Sequence, residues 1–342
     1  MAAGDDSRTV EEVFEEIDSL SHRERARRKP RVARRILRLR HRAGLSLVEE
    51  PVTEAPRHPA PAFDRLPGDS GLPEVLPGEL TPELLRAAIL RSGCLLVRQL
   101  VDREDAARLA AGIDRAYAAR DAARASGRST DRGYFDEFEP EARFDLSSLR
   151  EFVRGAGLLG ADSPRVMLDV LDVFERVGLQ RLATEYLGER SAISVDKCLL
   201  RRVNPDVLGD SSGGNGPKPS AWHQDGAFLG DVRALNVWLS LSRCGDEAPG
   251  LDIVPRRLDH IVPTGTEGAA FDWSVSRNVA EEVGGGVGIL RPIFEPGDVL
   301  LFDELFLHST AAEPEMRSMR YAVETWFFGP SRFPREYAPL AF

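Results

Sequence analysis

The run Trp222-His223-Gln224-Asp225-Gly226 carries a histidine and an aspartate two residues apart. In an extended strand such residues point to the same face, so we expect His223 and Asp225 to point together and Gln224 to point away. A second histidine, His308, lies far along the chain in Leu307-His308-Ser309-Thr310 and must come from a separate strand. The three side chains therefore predict one shared metal site.

The ligand types restrict the kind of metal site. Two imidazoles and one carboxylate form the facial triad that is typical of non-haem Fe(II) oxygenases. Three protein ligands leave up to three positions open for a co-substrate and O2. A structural zinc site would close its fourth position and would usually use cysteine.

Arg320 is the fourth member of this set. It opens the run 319–328, which reads as a strand, and alternation places Arg320, Ala322, Glu324 and Trp326 on one face. A buried arginine needs an anionic partner, and its planar fork suits a carboxylate. Arg317 competes for this role, but it lies in the polar turn 313–318, so we favour Arg320.

These motifs resemble, in order, the phytanoyl-CoA dioxygenase family of Fe(II)- and 2-oxoglutarate-dependent oxygenases. The resemblance extends from about Leu80 to Phe328, and the motifs are specific as a set, although each alone is weak. The matching segments are 92–101 with 102–109, 223–226, 237–241, 295–302, 308–310 and Arg320.

The resemblance implies an α+β fold with a double-stranded β-helix core, a cupin-like jelly roll flanked by helices. It implies Fe(II) bound by His223, Asp225 and His308. It also implies 2-oxoglutarate bound by Arg320 with help from the Thr310 hydroxyl, and O2 as the oxidant. The expected outcome is hydroxylation of an unactivated C–H bond of a small molecule or acyl derivative, with release of succinate and CO2.

Five further residues are assigned with less support from motifs. Trp238 lies where the resemblance implies a wall against the co-substrate, and Asn236 shares its strand face by alternation. Lys197 and Arg202 on the preceding strand, with Glu324, are candidates for binding substrate, although a solvated strand face is the default interpretation of the two cations.

Related halogenases have a small residue in place of the carboxylate ligand so that chloride can bind iron. Because Asp225 occupies this position, the resemblance implies hydroxylation or another two-electron oxidation.

The sequence departs from the family pattern at two places. The turn after the core tryptophan strand reads Ala248-Pro-Gly-Leu-Asp-Ile-Val-Pro-Arg-Arg-Leu-Asp-His260, so His260 stands near an expected histidine without a partner at ligand spacing. Thr310 replaces a serine two residues after His308. Neither departure removes a metal ligand.

Composition restricts the class of protein. The chain has 342 residues, 42% of them hydrophobic, and a net charge of −10, which disfavours general nucleic-acid binding. Three widely spaced cysteines predict no disulfide framework and a reducing compartment. With no membrane-spanning stretch and no signal-peptide pattern, we expect a cytoplasmic protein.

The chain divides into three predicted parts: a helical, partly basic extension over 1–50, a proline-rich linker over 51–79, and one oxygenase domain over 80–342. Residues 21–42 hold eleven Arg or Lys against one acid. We favour a helix whose Val32, Ile36 and Leu39 dock on the acidic body over a nucleic-acid arm, because no aromatic residues interleave. The N-terminal helices are also a candidate surface for a homo-oligomer.

Hydrophobic periodicity predicts helices over 9–20, 81–91, 103–126 and 163–187, and strands over 95–100 and 192–203. Two long insertions, 209–219 and 264–288, are where we expect substrate contacts, and the first is either a mobile lid or a plain surface loop. Two other functions stay open: a cupin-like metalloenzyme that does not use 2-oxoglutarate, and a non-catalytic binding protein on the same fold.

Overall fold

The structure describes residues 9–24, 29–51, 54–68, 71–205 and 221–342, which contain two β-sheets, the α-helices given below and several short 3-10 helices. The structure is a computed structural model. The helices are α1 Val10–Glu24, α2 Pro30–Glu49, α3 Pro82–Ser92, α4 Arg103–Ser126, α5 Ser147–Val153, α6 Pro164–Arg176, α7 Leu179–Leu187, α8 Gly226–Leu229 and α9 Arg277–Gly284. The strands are β1 Glu74–Val75, β2 Cys94–Val97, β3 Gly157–Leu159, β4 Ala192–Val203, β5 Ala234–Ser240, β6 Gly250–Ile253, β7 Val299–Phe302, β8 His308–Ala311, β9 Arg320–Phe328 and β10 Pro339–Ala341.

The larger sheet has the strand order β1-β2-β7-β5-β9-β4-β10, with β3 paired to β4. All of its pairs are antiparallel except β1 with β2. The strands β2, β7 and β5 are buried along their whole length, because helices cover one face and the second sheet covers the other. The predicted mixture of helices and strands is therefore confirmed.

The smaller sheet consists of β6 and β8. Single bridges extend it, joining Leu290 to Ile253 on one side and His308 to His223 on the other. Leu251 and Ile253 of this sheet share one apolar cluster with Trp238 and Trp326 of the larger sheet, so the two sheets pack against each other across the core. The predicted metal residues lie at this junction.

Helix boundaries follow the local sequence closely, with one exception. The Thr81 side chain caps α3 by accepting a hydrogen bond from the Leu84 N–H, as the sequence predicts. The single helix expected over 163–187 is wrong, because the chain forms α6 and α7 with Gly178 between them at φ 78°. This left-handed conformation interrupts the helix and suits glycine.

The basic helix α2 packs on the body of the protein. Ile36, Leu37 and Leu39 belong to the same large apolar cluster as the helices and the outer face of the larger sheet, and Val32 packs against it. Arg34 forms an ion pair with Asp136 at 2.6 Å. The apolar positions of α2 thus lie against the core of the same chain.

Two further features bear on the sequence-based expectations. All three cysteines are free and buried. Among the described residues, no helix combines the length and apolar character needed to cross a membrane.

Candidate metal centre

His223, Asp225 and His308 converge. Each offers one ligand atom, and these three atoms lie within 4.8 Å of one another. The His308 Nε2 atom is 3.7 Å from Asp225 Oδ2, and the two imidazole centroids are 4.4 Å apart. The backbones of the two histidines exchange hydrogen bonds, His223 N–H to His308 O and His308 N–H to His223 O, which fixes their separation.

The two imidazoles are oriented in the same way. His223 Nδ1 lies 2.7 Å from the carbonyl oxygen of Ala221, and His308 Nδ1 lies 3.0 Å from that of Phe306. A carbonyl can only accept, so each Nδ1 carries a proton, and in the neutral imidazole it is Nε2 that has the lone pair for a metal. Such outer hydrogen bonds set the tautomer of metal-binding histidines.

The local backbone differs from the extended strand expected at 223–225. His223 forms a single bridge, whereas Asp225 is already helical at φ −60° and ψ −26° and precedes α8. Its carbonyl accepts from the N–H groups of Phe228 and Leu229. The aspartate therefore reaches the histidines from a helical turn, and the expectation of a strand here is wrong although the two side chains do meet.

Gln224 points away from the triad, as expected, and it anchors the loop. Its amide donates to the carbonyls of His260 and Leu305, and its oxygen accepts from the Val262 N–H. His260 itself is exposed and bonds to Asp259, so the structure does not bring it to the triad.

Burial, followed by the neighbouring His308, lowers the pKa of His223 to about 4. His223 is therefore neutral near pH 7, which is the form that binds a metal ion.

Arg320 is buried, and its charge meets no carboxylate among the described residues. Its Nη1 donates to the carbonyl of Gly250 at 3.1 Å, and its guanidinium carbon lies 5.8 Å from the Trp238 ring centroid. Its Nε is buried without a hydrogen-bond partner. Burial lowers the pKa of Arg320 to about 10, which leaves the group charged near pH 7. Arg317 is exposed and bonds to neighbouring carbonyls.

The predicted neighbours of Arg320 lie on the expected strands. Trp238 pairs in register with Glu324, and Asn236 pairs with Trp326, so both lie on the strand face that carries Arg320. Asn236 Oδ1 is buried and has no hydrogen-bond partner within the described chain. Thr310 lies on β8 two residues after His308, opposite Leu251 of β6.

Glu324 is held by Arg201. The Arg201 Nε and Nη2 atoms donate to Glu324 Oε2 at 3.0 and 2.8 Å. Burial alone would raise the pKa of Glu324, but the charge and hydrogen bonds of Arg201 lower it to about 2. Glu324, predicted to bind substrate, is thus paired with a cation on the neighbouring strand.

Lys197 and Arg202 lie on opposite sides of β4. The Lys197 Nζ lies 4.1 Å from the centroid of Phe228, on the side of the triad, and burial lowers its pKa while Asp225 and Glu324 oppose this effect. Arg202 instead covers the Tyr117 ring at 4.2 Å and reaches Asp114 on α4. The structure does not bring Arg202 to the site.

Two aromatic residues beside His223 were not predicted. Phe228 stacks on His223 at 6.1 Å, and Trp273 meets the same imidazole edge-on at 5.3 Å. Phe228 follows Asp225 by only three residues, so its closeness along the chain could have indicated that it lies beside the triad. Trp273 lies in the predicted insertion 264–288, where nothing in the pattern distinguishes one residue from another. The other predicted insertion, 209–219, lies outside the described residues.

A cavity of about 530 Å³ has none of the three triad side chains in its lining. Four arginines line it: Arg86, Arg233, Arg257 and Arg332. Its wall includes Glu304, whose carbonyl accepts the Gly226 N–H and so holds the turn that carries Asp225.

No protein-family model and no curated protein matches this chain. Among solved structures, AviO1 from Streptomyces viridochromogenes Tue57 has 18% identity and a TM-score of 0.42, covering 73% of this chain and 96% of its own. EctD from S. alaskensis, solved with 2-oxoglutarate and 5-hydroxyectoine, has 16% identity and a TM-score of 0.44, covering 71% and 74%. SnoK, a non-haem alpha-ketoglutarate-dependent carbocyclase from nogalamycin biosynthesis, has 14% identity and a TM-score of 0.46, covering 76% and 87%. At these scores the likenesses carry no argument about this chain.

Proposed function

We propose that this protein is an Fe(II)- and 2-oxoglutarate-dependent dioxygenase of the phytanoyl-CoA dioxygenase type, built on a double-stranded β-helix core. It hydroxylates an unactivated C–H bond of a small molecule or acyl derivative, with release of succinate and CO2. The observation that carries the proposal is the convergence of His223, Asp225 and His308, combined with a buried Arg320 that lacks a carboxylate partner in the described chain.

The donor set fits a ferrous ion. Two imidazole Nε2 atoms and one carboxylate suit an open, three-ligand iron site better than a closed structural zinc site. The Nδ1 contacts of both histidines with backbone carbonyls support this role, because they leave the ligand atoms directed at one point.

The surroundings of Arg320 fit a carboxylate ligand. A buried guanidinium without an anionic partner is costly, and a bound carboxylate would satisfy its unpaired Nε and its charge. Thr310 could add a hydroxyl hydrogen bond, and Trp238 and Asn236 would line the same side of the ligand. We propose that these four residues bind 2-oxoglutarate.

Bound iron would supply the oxidising chemistry with O2 and 2-oxoglutarate. The residues of this chain position the reactants. His223, Asp225 and His308 would hold the iron, Arg320 would hold the far carboxylate of the co-substrate, and the rings of Phe228 and Trp273 lie against His223.

The test is O2-dependent formation of succinate from 2-oxoglutarate by the iron-loaded protein. Arg320→Ala should raise the 2-oxoglutarate concentration for half-maximal succinate formation at least about 30-fold, because it removes the anchoring charge. Arg317→Ala, three residues away on the exposed turn, is the matched comparison and should resemble the wild type.

Three outcomes would contradict the proposal. Iron binding without 2-oxoglutarate turnover would indicate a cupin-like metalloenzyme of another kind. Failure to bind iron after anaerobic reconstitution would indicate a non-catalytic binding protein on this fold. A defect in Arg317→Ala, with Arg320→Ala unaffected, would assign the co-substrate carboxylate to Arg317.

A further inference from the structure

We infer that Phe228, Phe271 and Trp273 form a stacking wall beside the metal centre, and that Lys197 next to it binds the anionic group of a planar, ring-containing substrate. The inference rests on the proposed function for the reaction and adds the class of substrate. It depends on the ring geometry, on the way the wall is held, and on the position of one lysine charge.

The stacking wall presents a flat aromatic face next to a metal ligand. The rings of Phe271 and Trp273 are parallel within 6° at a centroid separation of 4.7 Å. Trp273 meets Phe228 at 5.5 Å and His223 at 5.3 Å, both edge-on. A substrate ring stacked here would therefore lie close to the atom that holds the iron.

The wall is held in place by the backbone. Val275 N–H donates to the carbonyl of Trp222, the residue before His223, at 2.8 Å. The buried Ser274 hydroxyl accepts from the Phe271 N–H at 2.8 Å and closes the turn between the two stacked rings. Trp273 is thus positioned relative to the metal ligand before any substrate binds, which lowers the entropic cost of binding.

The wall is open to solvent at its outer end. Trp273 is half-buried, whereas Trp222, Trp238 and Trp326 are buried. Phe152 of α5 lies 6.4 Å from Phe271 and is 66% exposed. A row of aromatic rings therefore runs from the surface to His223.

Lys197 supplies a charge that no carboxylate of the described chain neutralises by an ion pair. Its Nζ lies 4.1 Å from the Phe228 ring and 5.7 Å from that of Tyr337. Three acids act on it, and each is otherwise engaged. Asp225 belongs to the triad, Glu324 is bound by Arg201, and Asp196 accepts a hydrogen bond from the Ala338 N–H. The ammonium group is therefore available to an anionic ligand at the wall.

This anion site is separate from the one at Arg320. Arg320 pairs in register with Val203, which is six residues beyond Lys197 on β4. At about 3.3 Å per residue, the two positions are roughly 20 Å apart along the strand. We assign Lys197 to a second ligand, because its Nζ lies over Phe228 of the wall, whereas the Arg320 guanidinium lies over Trp238.

The flat face favours a ring over an acyl chain. Parallel and edge-on aromatic contacts depend on a planar partner, whereas a flexible chain gains little from them and loses more rotational freedom on binding. A carboxylate or phosphate on the ring would be drawn to Lys197 beside Phe228. We therefore choose a planar aromatic acid as the substrate class.

The test is calorimetric binding to the metal-free protein, with 2-naphthoate, its neutral amide 2-naphthamide, and octanoate as probes. The wild type should bind 2-naphthoate at least about tenfold more tightly than either of the others. Trp273→Leu should weaken 2-naphthoate binding about tenfold, and Lys197→Met should remove the preference for the acid over the amide. Phe63→Leu and Arg181→Met alter exposed residues elsewhere and serve as controls that keep wild-type binding.

The outcomes separate this inference from the proposed function. Equal affinity for octanoate and 2-naphthoate, no binding of any probe, or unchanged binding in both variants would overturn it, even if the iron-loaded protein makes succinate. Ring-selective binding that depends on Trp273 and Lys197 would support it, even if succinate formation fails. Circular dichroism of each variant checks that a loss of binding does not come from unfolding.

Discussion

At the scale of single residues, the two histidines of the triad are oriented alike. In both, Nδ1 contacts the carbonyl of the residue two positions earlier, Ala221 for His223 and Phe306 for His308. The sequence predicts which residues are ligands because the motif names their types. It cannot predict the tautomer, because that depends on backbone carbonyls that are placed by the fold.

Asp225→Gly should lower the affinity for Fe(II) at least about 100-fold, because it removes the only anionic ligand of the triad. Hydroxylation should be lost as well. Anaerobic Fe(II) titration measures the first effect and product analysis measures the second. Asp259→Gly removes an exposed carboxylate and should leave the affinity unchanged. Wild-type turnover in Asp225→Gly would refute the ligand assignment.

The Glu324 and Arg201 pair predicts a pH dependence of stability. The pKa of Glu324 falls from its ordinary 4.5 to about 2 on folding, so the ionised form is favoured in the native state. The ionised Glu324 therefore adds about 3 kcal/mol to the free energy of unfolding. This contribution is present above pH 4.5 and is lost as the pH falls toward 2.

The measurement compares denaturant unfolding of the wild type and Glu324→Gln. The difference in free energy of unfolding should be constant above pH 4.5 and should shrink below it. A difference that persists unchanged into the acid range would show that Glu324 acts by packing alone.

At the scale of elements, hydrophobic periodicity predicted several boundaries well. The helix over 103–126 and the strand over 192–203 match α4 and β4. The prediction of a single helix over 163–187 was wrong because the apolar pattern continues across Gly178, and a glycine within a helical pattern is often tolerated. The prediction of a strand at 223–225 was wrong because a hydrogen bond from the Gly226 N–H to the distant Glu304 carbonyl helps to hold a helical turn there.

Gly178→Ala should destabilise the protein by about 1–2 kcal/mol. At φ 78° a side chain is strained, and no other atom lies near the new methyl group, so the cost comes from the backbone alone. Urea unfolding measures it.

Gly78→Ala is the matched control, because its space is equally open and its backbone is not left-handed. This variant should be neutral or slightly stabilised. Equal effects of the two substitutions would contradict the explanation of the break between α6 and α7.

At the scale of the whole molecule, charge and packing of the N-terminal segment were predictable only in part. The basic segment and the acidic remainder are evident from the sequence, and the apolar positions Ile36 and Leu39 are buried as expected. The position of α2 was not predictable, because it packs on β10 at the other end of the chain. The stacking wall could not be predicted either, because Trp273 is distant from His223 in the sequence and contacts it only in the folded chain.

Gly44→Val tests the docking of α2. A Cβ at Gly44 would lie 2.9 Å from the backbone carbon of Pro339 and 3.0 Å from the Ala341 nitrogen, so β10 would have to move. We expect a loss of about 1–3 kcal/mol in thermal or denaturant unfolding.

Ser46→Val on the exposed side of α2 is the control and should cost much less. Unchanged stability of Gly44→Val would show that α2 is not packed on β10.

The central claim is that His223, Asp225 and His308 hold an iron ion with a co-substrate carboxylate anchored behind it by Arg320. An anaerobic crystal structure with Fe(II) and 2-oxoglutarate tests it most directly, with anomalous scattering at the iron edge to locate the metal. We predict one strong peak at about 2.0–2.2 Å from both Nε2 atoms and the Asp225 carboxylate, and the far carboxylate of 2-oxoglutarate on the Arg320 guanidinium. A peak elsewhere, no peak, or a co-substrate that does not touch Arg320 would contradict the account.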